Sequence, residues 1–122
     1  MDFETIKLKE SFDGQVVELT LNMPPANILS AAMMGEISAF MRQQLDNAKL
    51  KLIVLKGEGE NFCFGAAVEE HTSDEVGDML PGFHKMIGEI LEHPVPTLAQ
   101  VSGFCLGGGF ELALACSFIA AD

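Results

Sequence analysis

Apolar and polar positions along the chain fall into short β-prone runs and longer stretches at helical spacing. Residues 6–9 and 16–21 are β-prone, and Phe12-Asp13-Gly14-Gln15 lies between them with an Asp-Gly pair that favours a hairpin turn. Asn22-Met23-Pro24-Pro25-Ala26-Asn27 breaks the pattern, because paired prolines suit neither a helix nor a central strand. Ser30 then offers an N-cap, and Met33, Met34, Ile37, Phe40, Met41 and Leu45 recur at the spacing of one buried helix face. This methionine-rich stripe reads as core packing rather than a cofactor box.

Leu50 and the run Leu52, Ile53, Val54, Leu55 fit a strand buried on both faces, ended by Gly57-Glu58-Gly59-Glu60-Asn61. Small and apolar residues follow, Phe62-Cys63-Phe64-Gly65-Ala66-Ala67-Val68, before the acidic pair Glu69-Glu70. Thr72 or Ser73 can cap a helix running towards Leu91 with an interruption near Pro81-Gly82, and His93-Pro94-Val95-Pro96 ends it. A strand over residues 97–101 leads into Ser102-Gly103-Phe104-Cys105-Leu106-Gly107-Gly108-Gly109-Phe110-Glu111, and residues 112–121 read as a closing helix. Strands alternating with helices predict an α/β fold whose parallel strands are joined by crossover helices. Two successive blocks of strand, small-residue turn and helix suggest a repeated unit.

Candidate chemistry sits at the two turns. Three glycines in a row imply positive φ or a close approach of something to the backbone. Opening a helix, they leave its first N–H groups pointing outward. The turns at Phe64-Gly65-Ala66 and Leu106-Gly107-Gly108-Gly109 could aim backbone N–H groups at one oxygen, as an oxyanion hole does. The plainer alternative, tight connections beside packed helices, stays open on spacing alone. A phosphate cradle is disfavoured, since no Lys-Ser or Lys-Thr follows and the G-x-G-x-x-G register is absent. Glu111 falls in the first turn of the helix, where a carboxylate favours the dipole. Buried among apolar neighbours, it would also suit proton exchange.

Charge narrows the function classes. Eighteen acidic residues against seven basic give a net charge of −11, and no basic cluster forms, which argues against nucleic acid as a partner. Cys63, Cys105 and Cys116 lack metal-ligand spacing and read as small buried hydrophobes in a reducing compartment, so no metal site is expected. His71, His84 and His93 are scattered and read as structural. Residues 104–121 hold one charge in 18 positions, but the glycines, the central Glu111 and the missing flanking anchors argue against a membrane span. With no signal-peptide pattern at the acidic N-terminus, a cytoplasmic protein is expected.

Three segments then resemble one family. Phe62-Cys63-Phe64-Gly65-Ala66-Ala67-Val68, Pro94-Val95-Pro96-Thr97-Leu98-Ala99-Gln100-Val101-Ser102-Gly103 and Gly107-Gly108-Gly109-Phe110-Glu111-Leu112-Ala113-Leu114-Ala115-Cys116 are similar to the enoyl-CoA hydratase/isomerase (crotonase) superfamily. The resemblance extends over the chain from about Val16. It implies a crotonase-like ββα spiral of repeated ββα units, with residues 1–122 as the N-terminal portion of one such domain. It also implies acyl-CoA thioester substrates, no cofactor beyond the coenzyme A carried by the substrate, and a homotrimer or homohexamer of the full-length enzyme. Carried over position by position, the oxyanion donors fall on the N–H groups of Ala66 and Gly108, and the first catalytic glutamate on Glu111. Phe64, Gly65, Ala67, Val68 and Gly107 fall in the substrate-binding turns.

Three departures bear on that expectation. Ala67 stands where the family often has aspartate, and Met23 where it often has arginine. The family's second catalytic glutamate falls downstream of Asp122, so residues 1–122 alone are expected to be inactive. The segments Phe64-Gly65-Ala66-Ala67-Val68-Glu69-Glu70-His71 and Met79-Leu80-Pro81-Gly82-Phe83-His84 are further similar to the cyclohexa-1,5-dienecarbonyl-CoA hydratases of anaerobic aromatic degradation. The expected activity is that of a lyase adding water to an enoyl- or dienoyl-CoA. The alternatives are an isomerase or hydrolase of the same fold, or a non-catalytic acyl-CoA-binding subunit.

Overall fold

Strand and helix formers are distributed so that each helix returns the chain to the edge of a growing sheet. A computed structural model describes residues 3–65 and 76–122. In chain order the elements are β1 (Ile6–Ser11), β2 (Val16–Leu21), α1 (Ala31–Gln43), a 3-10 turn (Gln44–Asp46), β3 (Leu52–Gly57), α2 (Val76–Glu92), β4 (Thr97–Val101), α3 (Gly108–Ala115) and β5 (Phe118–Ala121). The strands form one sheet in the order β1-β2-β3-β4-β5. β1 and β2 are an antiparallel hairpin in the register Ser11↔Val16, and β2 to β5 run parallel. Parallel neighbours require crossover connections, and α1, α2 and α3 supply them in turn.

The hairpin forms where Asp-Gly marked it, with Phe12, Asp13 and Gly14 all at positive φ and Gln15 N–H donating to Phe12 O. α1 begins where Ser30 caps it, the serine hydroxyl accepting from Met33 N–H at 3.1 Å. Its face Met33, Met34, Ile37, Phe40 and Met41 is buried against Leu19, Leu21, Ile53 and Leu55 of the sheet, with Met86, Ile90 and Leu112 completing the core. Burying one such side chain contributes about 1.5–3 kcal/mol, so this cluster is the main source of stability. β3 is covered on both faces, as its continuous apolar run implies: Ile53, Val54 and Leu55 are all buried.

Several expectations are corrected. Leu45 does not extend the buried face of α1. The helix gives way to the 3-10 turn at Gln44, which rotates Leu45 outward to 58% exposure. α2 runs through Pro81 without a break. Proline removes one N–H and crowds the preceding turn, and the burial of Phe83, Met86 and Ile90 against the core holds the helix past that point. The proposed caps Thr72 and Ser73 lie outside the described residues.

The apolar run after the glycines is two elements rather than one helix. α3 stops at Ala115, Cys116 is extended at ψ 155°, and β5 pairs with β4. The switch is fixed by a reciprocal bond: Thr97 N–H donates to Ser117 Oγ at 3.1 Å, and Ser117 N–H donates to Thr97 Oγ1 at 3.0 Å. Among the described residues no helix is long and apolar enough to cross a membrane.

Candidate functional site

Just beyond the carboxyl ends of β3 and β4, where open parallel sheets place their ligand crevices, the two small-residue turns meet. Phe62 N–H donates to Ser102 O at 2.9 Å and Cys63 N–H to Phe104 O at 3.1 Å, while Leu106 N–H donates to Cys63 O at 3.0 Å. Cys63 and Cys105 are thereby paired in a short parallel bridge outside the main strands. Gly65 follows at φ 116°, and a Cβ on it would lie 3.2 Å from Leu106 O and 3.4 Å from Gly108 N. The absence of a side chain at Gly65 is what lets its turn lie against the start of α3. Gly107, at φ 50°, turns the chain into that helix.

The first turn of α3 uses most of its donors locally. Gly109 N–H donates to Leu106 O at 2.8 Å, Phe110 N–H to Leu106 O at 3.4 Å and Glu111 N–H to Gly107 O at 3.1 Å. Gly108 N–H donates to no described residue, leaving one helix-terminal donor beside Gly65. Glu111 lies one turn along the same helix, but it is exposed rather than buried in an apolar pocket. Among the described residues its carboxylate has no hydrogen bond or ion pair. Helix geometry accounts for this: Leu112, Ala113 and Ala115 take the buried side of α3, which leaves Phe110, Glu111 and Leu114 on the other.

Phe64 is exposed and meets Phe104 edge to face, with ring centroids 5.2 Å apart. Of the residues marked for substrate contact, Phe64, Gly65, Gly107 and Gly108 are thus brought together with Glu111. Ala66, Ala67 and Val68 lie outside the described residues.

Two asparagines that the sequence did not single out hold this region in place. Asn27, fully buried with φ 49°, accepts from Met23 N–H at 2.9 Å through Oδ1. Its Nδ2 donates to Glu58 O at 3.1 Å and Asn61 O at 2.9 Å. Asn61 donates through Nδ2 to Pro25 O and accepts from Phe104 N–H through Oδ1, each at 3.0 Å. Asparagine tolerates left-handed backbone and serves turns, which is the one signal the sequence carried for Asn27.

The thiols are poor nucleophiles here. Burial pushes Cys63 up to about 11, with Gly65 N–H opposing this weakly through a 3.4 Å bond to Sγ. Burial also takes Cys116 up to about 11 and raises Cys105. His93 is structural, as expected: Val95 N–H donates to its Nδ1 and its Nε2 lies 3.0 Å from Met41 O, which requires the proton on Nε2. No cluster among the described residues could hold a metal ion.

Known proteins resemble this chain in sequence and in fold. The chain is 41% identical over 103 residues to cyclohexa-1,5-dienecarbonyl-CoA hydratase of Thauera aromatica, an alignment covering 84% of this chain and 40% of that protein. It is 38% identical over 108 residues to a probable enoyl-CoA hydratase of Bacillus subtilis, covering 85% of this chain and 42% of the relative. Among solved structures, an enoyl-CoA hydratase from Bacillus anthracis superposes with a TM-score of 0.91 at 31% identity, over 97% of this chain and 47% of that one. The chain therefore spans about two-fifths of the length of these curated relatives. Residues 11–122 match the family model described as enoyl-CoA hydratase/isomerase. With a mixed sheet that superposes on that structure, this chain belongs to the enoyl-CoA hydratase/isomerase family.

Proposed function

We propose that the full-length protein is an acyl-CoA hydratase that adds water across a double bond conjugated to a thioester. The observation that carries this reading is the contact between the two turns, which sets the N–H of Gly108, without an acceptor among the described residues, beside Gly65, with Glu111 one helical turn away. The second donor is the N–H of Ala66, the residue after Gly65. Two N–H groups converging on the thioester oxygen stabilise the enolate that develops as water attacks the β-carbon. Donors of this kind are worth most when charge appears only in the transition state.

Glu111 takes a proton from the attacking water. The α-carbon then takes a proton from the second carboxyl group proposed below, and the oxyanion returns to a thioester carbonyl. A second catalytic carboxylate, downstream of Asp122, is part of this proposal, as is a homotrimeric or homohexameric assembly. No cofactor beyond the substrate's own coenzyme A is invoked. Identity to the Thauera aromatica enzyme supports a cyclic dienoyl-CoA, cyclohexa-1,5-diene-1-carbonyl-CoA, as the substrate.

The test is Glu111→Gln in the full-length protein, assayed against a panel of acyl-CoAs that includes this diene. Hydration should fall by about 10²–10⁴-fold while acyl-CoA binding is retained. Unchanged turnover would overturn the role of Glu111. Faster hydration of linear enoyl-CoAs than of the cyclic diene would overturn the substrate.

A further inference from the structure

We infer that Asn61 is a positioning residue for this reaction, which sets the register between the two glycine turns through its bond to Phe104 N–H. Asn61 stands at the entrance to the Cys63–Cys105 bridge, and its side-chain amide spans three loops. Nδ2 reaches Pro25 O in the loop after β2, and Oδ1 takes the N–H of Phe104 in the loop after β4. Its own carbonyl takes a bond from the buried Asn27 amide. Fixed on that side, Asn61 acts as an anchor against which residues 103–108 are aligned.

Gly103 shows how tightly the alignment is made. It sits at φ 60°, and a Cβ there would come within 2.5 Å of Asn61 Oδ1, so only glycine leaves room for the amide to reach Phe104 N–H. From Phe104 the effect runs along short covalent and hydrogen-bonded links. Phe104 O accepts from Phe62 N–H and Cys63 N–H. Its ring packs on Phe64. Two residues on, Leu106 O lies 3.2 Å from where a Gly65 Cβ would be. A slip of this ladder would separate Gly65 from Gly108 while leaving the sheet and the core helices intact. Asn61 touches neither substrate nor reacting atoms in this scheme.

The inference rests on the hydratase reading above, and the experiment separates the two. In the full-length protein, Asn61→Leu removes both polar atoms at nearly constant volume. It should lower kcat by on the order of 10²-fold, the scale expected of a 1 Å misplacement remote from the chemistry. KM should stay near wild type, because an interaction felt only in the transition state lowers kcat and kcat/KM together. Asn61→Asp keeps an acceptor for Phe104 N–H but gives up the donor to Pro25 O, so it should recover part of the lost kcat. Because the aspartate variant keeps the shape and the acceptor, it decides the question if the leucine variant does not fold.

Wild-type kcat per folded Asn61→Leu molecule, beside an inactive Glu111→Gln, would overturn the inference and leave the hydratase reading standing. Asn61→Asp as impaired as Asn61→Leu would overturn the Phe104 bond as the functional contact. Wild-type protein that hydrates no acyl-CoA of the panel would overturn both readings.

Discussion

Gly109 and Cys63 are packed backbone to backbone: a methyl group on Gly109 would lie 2.6 Å from Cys63 O and 2.7 Å from Cys63 Cβ. These neighbours belong to a bridged segment and cannot swing aside as the end of a long side chain could. Gly109→Ala is therefore expected to destabilise the protein by about 1–3 kcal/mol, the usual cost of overpacking, and to reduce hydration as α3 is pushed from Gly65. The control is Gly88→Ala in α2, where an added Cβ meets nothing within 4 Å. It should stabilise by about 0.5–1 kcal/mol, as alanine does over glycine in a helix. Denaturant midpoints of the two variants check both signs.

Gly108→Pro removes the one first-turn N–H of α3 that has no acceptor among the described residues. Proline is tolerated at the first helical position, so the unfolding midpoint should change little. Loss of the proposed oxyanion donor should lower kcat by about 10²–10³-fold. Steady-state kinetics with an acyl-CoA substrate, beside the thermal melt, tests this; wild-type kcat would remove Gly108 from the oxyanion site.

Asn27→Ala leaves Met23 N–H and two loop carbonyls without their buried partner. Each unsatisfied buried group costs about 1–3 kcal/mol, so a total loss of about 3 kcal/mol is expected. Asn27→Gly relieves the positive φ yet loses the same bonds. It should be destabilised nearly as much if hydrogen bonding dominates, and far less if backbone conformation does.

Glu36 gives a pH dependence. Desolvation raises its carboxyl, but bonds from Glu4 N–H, the Thr5 hydroxyl, Thr5 N–H and Ile6 N–H outweigh this and hold it below its ordinary value of 4.5. A lowered folded-state value means stability that is present above the unfolded value and is lost as pH falls through the folded one. The stability difference between wild type and Glu36→Gln should therefore be constant from neutral pH to about 5.5 and shrink below 4.5. Denaturant titrations at each pH measure it.

Cys63 and Cys116, pushed up to about 11 by burial, remain thiols at neutral pH. Alkylation at pH 8 should leave both unmodified in the folded protein and label them after unfolding, as mass spectrometry would read.

The sequence alone determined several features that depend on local chemistry. Asp-Gly set the hairpin, Ser30 began α1, and the alternation of apolar runs with breakers defined β2 and β4 to the residue. The spacing of Gly107 to Glu111 placed a carboxylate in the first turn of a helix opened by glycine, which is where it lies. Short motifs around both turns were enough to suggest the family.

Tertiary structure decided what depends on partners distant in the chain. Residues 112–121 look helical by composition, but Ser117 bonding to Thr97 and the pairing of β5 with β4 split them. Pro81 reads as a breaker until the packing of Phe83, Met86 and Ile90 outweighs it. The apolar neighbours of Glu111 leave open on which side of α3 it lies, and the direction in which α3 faces the core puts it on the exposed side of the described residues. Asn61 and Asn27 matter only because folding brings three loops to within one hydrogen bond of them, and no pattern along a single chain records that proximity.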